Sequence, residues 1–107
     1  MLASDNPSIR RSDDATIRRL YSTSQHAVEI ANWQYTCKMT KDDVLSDDTC
    51  AEKGFPPETR SQFIRYFDSN GDFVVGLHRY WLKGGGIAAS GLSDPKFIVI
   101  DDITYFL

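Results

Sequence analysis

Apolar and polar positions change their period once along this chain. From Asp13 to Cys37 the apolar residues recur every three to four positions, the spacing of one helix face. From Gln62 onward they come in short runs rich in β-branched and aromatic residues, "QFIRYF", "DFVVGLHRYWL", "KFIVI" and "ITYFL", parted by turn chemistry. The first half therefore predicts one long helix, Asp13 to about Cys37, with Ser12, Asp13 and Asp14 supplying the cap and the acidic first turn. Asp14 and Arg18 stand four apart with the acid first, the favourable orientation for an ion pair along that helix. The second half predicts three to four antiparallel strands. Asn70-Gly71 is a strong hairpin signal and Asp101-Asp102 suits a tight turn. "QFIRYF" is the ambiguous segment, since a helix begun at Pro57 would also accommodate it. The fold class that follows is α+β, a single long N-terminal helix packed on a curled antiparallel sheet, with residues 1–12 flexible and 13–107 one domain.

The helix carries two apolar lines. Ile17, Leu20, Tyr21, Ser24, Ala27, Val28, Ala31 and Tyr35 face the sheet. His26, Ile30, Trp33 and Cys37 fall on nearly the opposite side, where a single sheet cannot reach them. Three readings stand: residues 40–58 fold over this second line, it is a self-association surface, or it is an exposed ligand-binding line; the second makes His26, Ile30, Trp33 and Cys37 the candidate interface of a homodimer. Residues 40–58 hold six acids and two lysines and read as a solvated connection, with Thr40 capping a short turn that carries Val44 and Leu45. As an alternative they form an acidic patch for a basic partner.

The composition sharpens this only by exclusion. The chain has 107 residues, 41% of them hydrophobic and 25% charged, which suits one globular domain. A net charge of −3, with Asp13 and Asp14 set among Arg10, Arg11, Arg18 and Arg19, predicts neither nucleic acid nor membrane as partner. No apolar run is long enough for a signal peptide or a span, so the expected place is the cytoplasm, with Cys37 and Cys50 reduced. Were those two joined, closing the short loop would stabilise the fold by about 3 kcal/mol.

"GGGIAASGLSDPKF", residues 84–97, looks the most functional. Gly84, Gly86 and Ala89 fit a loose dinucleotide pattern, yet Pro95 ends any helix that would follow, and no second strand-helix unit remains. Read as a phosphate loop, the stretch has Leu92 where the lysine belongs. It is therefore a turn between strands. "DSNGDF" begins like a calcium loop, but Phe73 replaces the glycine at its sixth position and Arg79 the glutamate at its twelfth. No histidine pair stands four apart for zinc, and no serine-nucleophile elbow is present, so neither metal nor cofactor is expected.

One pocket candidate survives. In "GLHRYW" alternation puts His78 and Tyr80 on one face and Leu77, Arg79 and Trp81 on the other. His78, Tyr80 and Trp81, with Ser90, Asp94 and Lys96 from the glycine-rich loop, would line a concave site at the open end of the sheet. Three functions follow in order: a small cytoplasmic non-enzymatic binding or adaptor protein acting as a homodimer; a small-ligand protein or enzyme with His78 as acid/base and Asp94 and Lys96 positioning the substrate; and an acidic inhibitor or immunity-type protein.

Overall fold

A computed structural model describes residues 8–88 and 91–107, so part of the expected flexible start and the candidate pocket residue Ser90 lie outside the described residues. The elements run β1 (Ile9–Arg11), α1 (Asp14–Ser22), α2 (Gln25–Ala31), β2 (Thr36–Val44), α3 (Asp47–Lys53), β3 (Arg60–Phe67), β4 (Phe73–Trp81), β5 (Asp94–Ile100) and β6 (Ile103–Phe106). The strands form a six-stranded mixed sheet in the order β1-β6-β5-β4-β3-β2, antiparallel throughout except for the parallel β1–β6 pair.

The expected single long helix on three to four strands is thus corrected to three short helices and six strands. The helix breaks where hydroxyls turn back on the backbone. Thr23 Oγ1 donates to the Arg19 carbonyl at 2.9 Å, and Ser24 Oγ to the Tyr21 carbonyl at 2.7 Å. Those bonds satisfy carbonyls that a continuing helix would use, and α1 ends there. The chain restarts as α2, which stops at Asn32 and Trp33; Trp33 adopts a left-handed φ of 60°. Cys37 and Thr40 consequently lie on β2, not on a helix and its cap. All nine residues of β2 are exposed; the sequence expectation divides them between the end of the helix at Cys37 and the solvated connection that begins at Thr40. Lys38, Lys41, Asp42 and Asp43 and a register shift between Met39 and Lys41 make it a poor template for further pairing.

Residues 47–53 also prove regular. Ser46 Oγ accepts from the Thr49 amide at 3.1 Å, Asp47 and Asp48 sit in the first turn, and Gly54 closes α3 at a left-handed φ of 71°.

The four C-terminal strands occupy the runs that alternation marked, and "QFIRYF" is strand. In the β3–β4 turn Asp68 Oδ1 accepts from the amides of Asn70 (2.9 Å) and Asp72 (3.1 Å). Asp101 and Asp102, at φ 50° and 65°, make the two-residue turn between β5 and β6.

Register fixes the two faces of the sheet. Gln62 opposite Arg79, Ile64 opposite Leu77 and Tyr66 opposite Val75 share the face that α1 and α2 cover. There Ile17, Val74, Val75, Leu77 and Ile98 form the buried cluster, with Leu20, Tyr21 and Ile30 packed against it. Each such aliphatic side chain contributes about 1.5–3 kcal/mol on burial. The opposite face is aromatic. Phe73 stacks on Phe97 at 4.2 Å, Phe63 lies over Gly76, and Arg65 caps the Phe73 ring at 4.9 Å.

Candidate functional site

The helices do not cover their face of the sheet completely. Between them lies a cleft of about 870 Å³. Tyr66, Leu77 and Arg79 make its floor, and Tyr21, Ala27 and Ile30 its roof. Leu92, Ser93, Asp94 and Arg18 stand among the residues that border it from the β4–β5 connection and from α1. The small side chain of Ala27 is what leaves room, while the helix break at Thr23 and Ser24 sets α2 at its own angle to α1. The volume falls in the range of pockets that take a small organic molecule.

The polar groups of this cleft divide into tied and untied. Asp94 is tied: Oδ1 accepts from Arg18 Nε at 3.0 Å and Oδ2 from Lys96 Nζ at 2.8 Å, and Lys96 reaches on to Asp14 at 2.9 Å. These contacts outweigh the opposing effect of burial and hold the Asp94 carboxyl below its ordinary range. The phenols of Tyr21 and Tyr66 are untied, with no hydrogen-bond partner among the described residues. Burial, then their mutual proximity, pushes the Tyr21 hydroxyl up; burial, then the Cys37 thiol, does the same for Tyr66, against the pull of the Arg79 charge. Both are neutral donors at neutral pH.

Arg79 is held but not neutralised. Its Nε donates to Gln62 Oε1 at 2.8 Å, Gln62 Nε2 donates to Asp42 Oδ1 at 3.0 Å, and Arg60 Nε fixes Asp42 at 2.7 Å. The guanidinium also lies 4.4 Å from the centre of the Trp81 ring. Its direct partners are an amide and a ring; the one carboxylate shown to act on its charge, Asp42, is itself paired with Arg60.

The residues singled out from the sequence are only partly brought together. His78 and Tyr80 border the cleft through β4, but their rings belong to the other face of the sheet. His78 Nε2 meets Ser61 Oγ at 2.9 Å, the two rings meet edge-on at 4.7 Å, and Tyr80 packs against Phe55 at 4.9 Å. Burial first, then the charges of Lys96 and Lys41, lowers the His78 pKa from 6.5, so the imidazole is neutral. Trp81 lines a separate, smaller depression with Val44, Glu58, Arg60, Leu82 and Lys83. Asp94 and Lys96 do meet, as one ion cluster with α1.

The four residues of the expected interface, His26, Ile30, Trp33 and Cys37, do not share one helix. His26 is bonded inward, Nδ1 to the Tyr35 hydroxyl and Nε2 to the Val99 carbonyl, each at 2.6 Å. Because a carbonyl only accepts, the neutral ring carries its proton on Nε2. Ile30 lines the cleft, Cys37 is exposed on β2 as a free thiol, and Trp33 is 89% exposed in its left-handed turn. Cys50 is free as well, but buried.

Sequence reading missed Tyr21, Tyr66, Arg79 and Arg18 as site residues. Tyr21 was placed on the core face and Arg79 on the face opposite His78, and both placements hold. The overlooked signal was that phenols and a guanidinium share an otherwise aliphatic face, where polar tips need somewhere to go. Among the described residues no cluster of His, Cys, Asp or Glu fits a metal ion, and no helix is long and apolar enough to cross a membrane. No family model, curated protein or solved structure matches the chain.

Proposed function

We propose that this chain is a binding protein for a small, largely apolar organic molecule, held between the α1–α2 pair and the sheet. The observation that carries this reading is the cleft of about 870 Å³, walled by Ala27, Ile30, Leu77 and Leu92 and furnished with two unbonded phenols. Binding fits the arrangement better than turnover. The cleft's carboxylate, Asp94, has both oxygens engaged, and the His78 ring is directed to the other face, which moves the ligand role away from His78. The test is direct titration with a neutral fluorescent apolar probe, 1-aminoanthracene, against the unchanged protein and an Ala27→Trp variant that fills the cleft. Saturable binding that Ala27→Trp abolishes, while the unfolding temperature is kept, supports the reading. Equal binding by both proteins, or none by either, overturns it.

The exposure of Trp33 favours a second reading, self-association through the end of α2. Val28, 49% exposed on the same helix, would extend the contact. Sedimentation equilibrium at tens of micromolar, with Trp33→Ser as comparison, decides it: a monomer in both cases removes this reading.

A further inference from the structure

Among the described residues of the cleft, the free nitrogens of Arg79 can only donate, while the free hydroxyls of Tyr21 and Tyr66 can donate as well as accept. Tyr21 and Tyr66 offer hydroxyls without partners among the described residues, and Arg79 has only Nε committed, to the neutral amide of Gln62. The one carboxylate on the lining, Asp94, already serves two cations. A ligand that brought acceptors would meet three donor groups, one of them a cation that accepts nothing, whereas a cationic ligand would face that same charge. Charge points the same way. Arg18 and Arg79 against Asp94 leave the described lining with an excess of one positive charge, in a chain whose net charge is −3. Arg18 is itself paired with Asp94, so the excess resides on Arg79.

The position of Arg79 reinforces the argument. The Gln62–Asp42–Arg60 chain fixes the guanidinium from behind, and the Trp81 ring covers it from one side. The remaining nitrogens keep their fork, the geometry that suits two oxygens of one carboxylate. Tyr66 lies close enough for the Arg79 charge to act on its phenol, and close enough in turn to act on the phenol of Tyr21. Opposite this donor group the walls are aliphatic.

We infer that the ligand of this cleft is an organic monoanion, an aromatic or alicyclic carboxylate, with its carboxylate on Arg79 and the phenols and its ring body against Ala27, Ile30 and Leu77. The inference rests on the cleft being a ligand site, and the experiment separates the two. Calorimetric titrations compare 2-naphthoate, its neutral amide 2-naphthamide, and the cation 2-naphthylmethylammonium, in the unchanged protein and in Tyr66→Phe, Arg79→Met, Arg79→Lys and Ala27→Trp variants. The expected result is naphthoate bound about tenfold or more tightly than the amide, as a charge-assisted hydrogen bond implies, with the cation weakest. That preference falls severalfold in Tyr66→Phe, nearly vanishes in Arg79→Met, and is partly kept in Arg79→Lys. Thermal unfolding shows which variants remain folded; Tyr66→Phe preserves the ring and secures the test should Arg79→Met unsettle its network.

Equal binding of naphthoate and amide, or preference for the cation, both lost in Ala27→Trp, overturns the anion while leaving the cleft as a ligand site. A naphthoate preference that survives both Tyr66→Phe and Arg79→Met also overturns it. Absence of binding by all three compounds, or binding that persists in Ala27→Trp, overturns both.

Discussion

The two faces of the sheet are built from different chemistry. Under α1 and α2 the centre of the face is aliphatic and buried: Ile17, Val75 and Ile98 are fully buried, and Leu77 nearly so. On the opposite face Phe63, Phe67, Phe73, Phe97 and Phe106 are each half-buried. They cover one another and are covered by cations, Arg65 over Phe73 and Arg11 over Phe106. Short branched side chains suit a surface that another element closes against, since their stiff rotamers interdigitate. Flat rings with cationic lids suit a surface that must partly shield itself. The face that the chain covers is also the one with a gap in its cover, and the cleft lies there.

Four measurements probe this contrast. Ile17→Ala removes a fully buried side chain from the α1 contact and should lower unfolding free energy by about 2–5 kcal/mol in urea titration. Phe97→Ala on the other face should cost clearly less, though it deletes more atoms; equal losses would erase the distinction between the faces. Next comes Gly76→Ala, because an added methyl would stand 2.5 Å from Phe63 Cζ and 3.3 Å from Phe97 Cβ. A loss of about 1–3 kcal/mol is expected, most of it absent when Phe63 is already Leu. If the loss is the same in both backgrounds, the close ring cover is not what restricts position 76.

Ser46→Ala deletes the cap of α3, the helix that leads to Lys53 and Phe55 at the Tyr80 ring, and should cost about 1 kcal/mol. The smallest effect is on pH dependence. His78 has a folded pKa below its ordinary 6.5, so the unfolded chain takes up the proton more readily. The associated stability is complete above about pH 6.5 and declines as pH falls through that value toward the lower folded one. His78→Gln should flatten this acid-side decline in chemical denaturation curves; an unchanged slope would mean that the aromatic face does not shield His78.

Much of the sheet was legible because its signals are local. The β3–β4 and β5–β6 turns are written in adjacent residues, Asp68 to Asp72 and Asp101-Asp102, and alternation in β4 assigned Leu77 and Arg79 to one face and His78 and Tyr80 to the other. Which of these faces would meet the helices was not local, and the pocket was consequently sought around His78. The helix was over-extended because Ser24 fits an apolar stripe as a small residue just as well as it fits a break; only its bond to the Tyr21 carbonyl distinguishes the two. β2 escaped notice because an edge strand exposed throughout shows no alternation between buried and exposed. The β1–β6 pair left no trace at all, since Ile9–Arg11 is polar, short and distant in sequence from its partner. The cleft itself arises from the angle between two helices whose separation was not anticipated.

That parallel pair carries a consequence for how the molecule assembles. Ile9 lies opposite Thr104, so the sixth strand position is filled only when remote parts of the polypeptide meet. The β3–β4 and β5–β6 hairpins close short loops at small entropic cost, whereas this pairing must close nearly the full contour of the chain. Assembly should accordingly begin with the central hairpins and spread outward. The β1 seam is then the last to zip and the first to part.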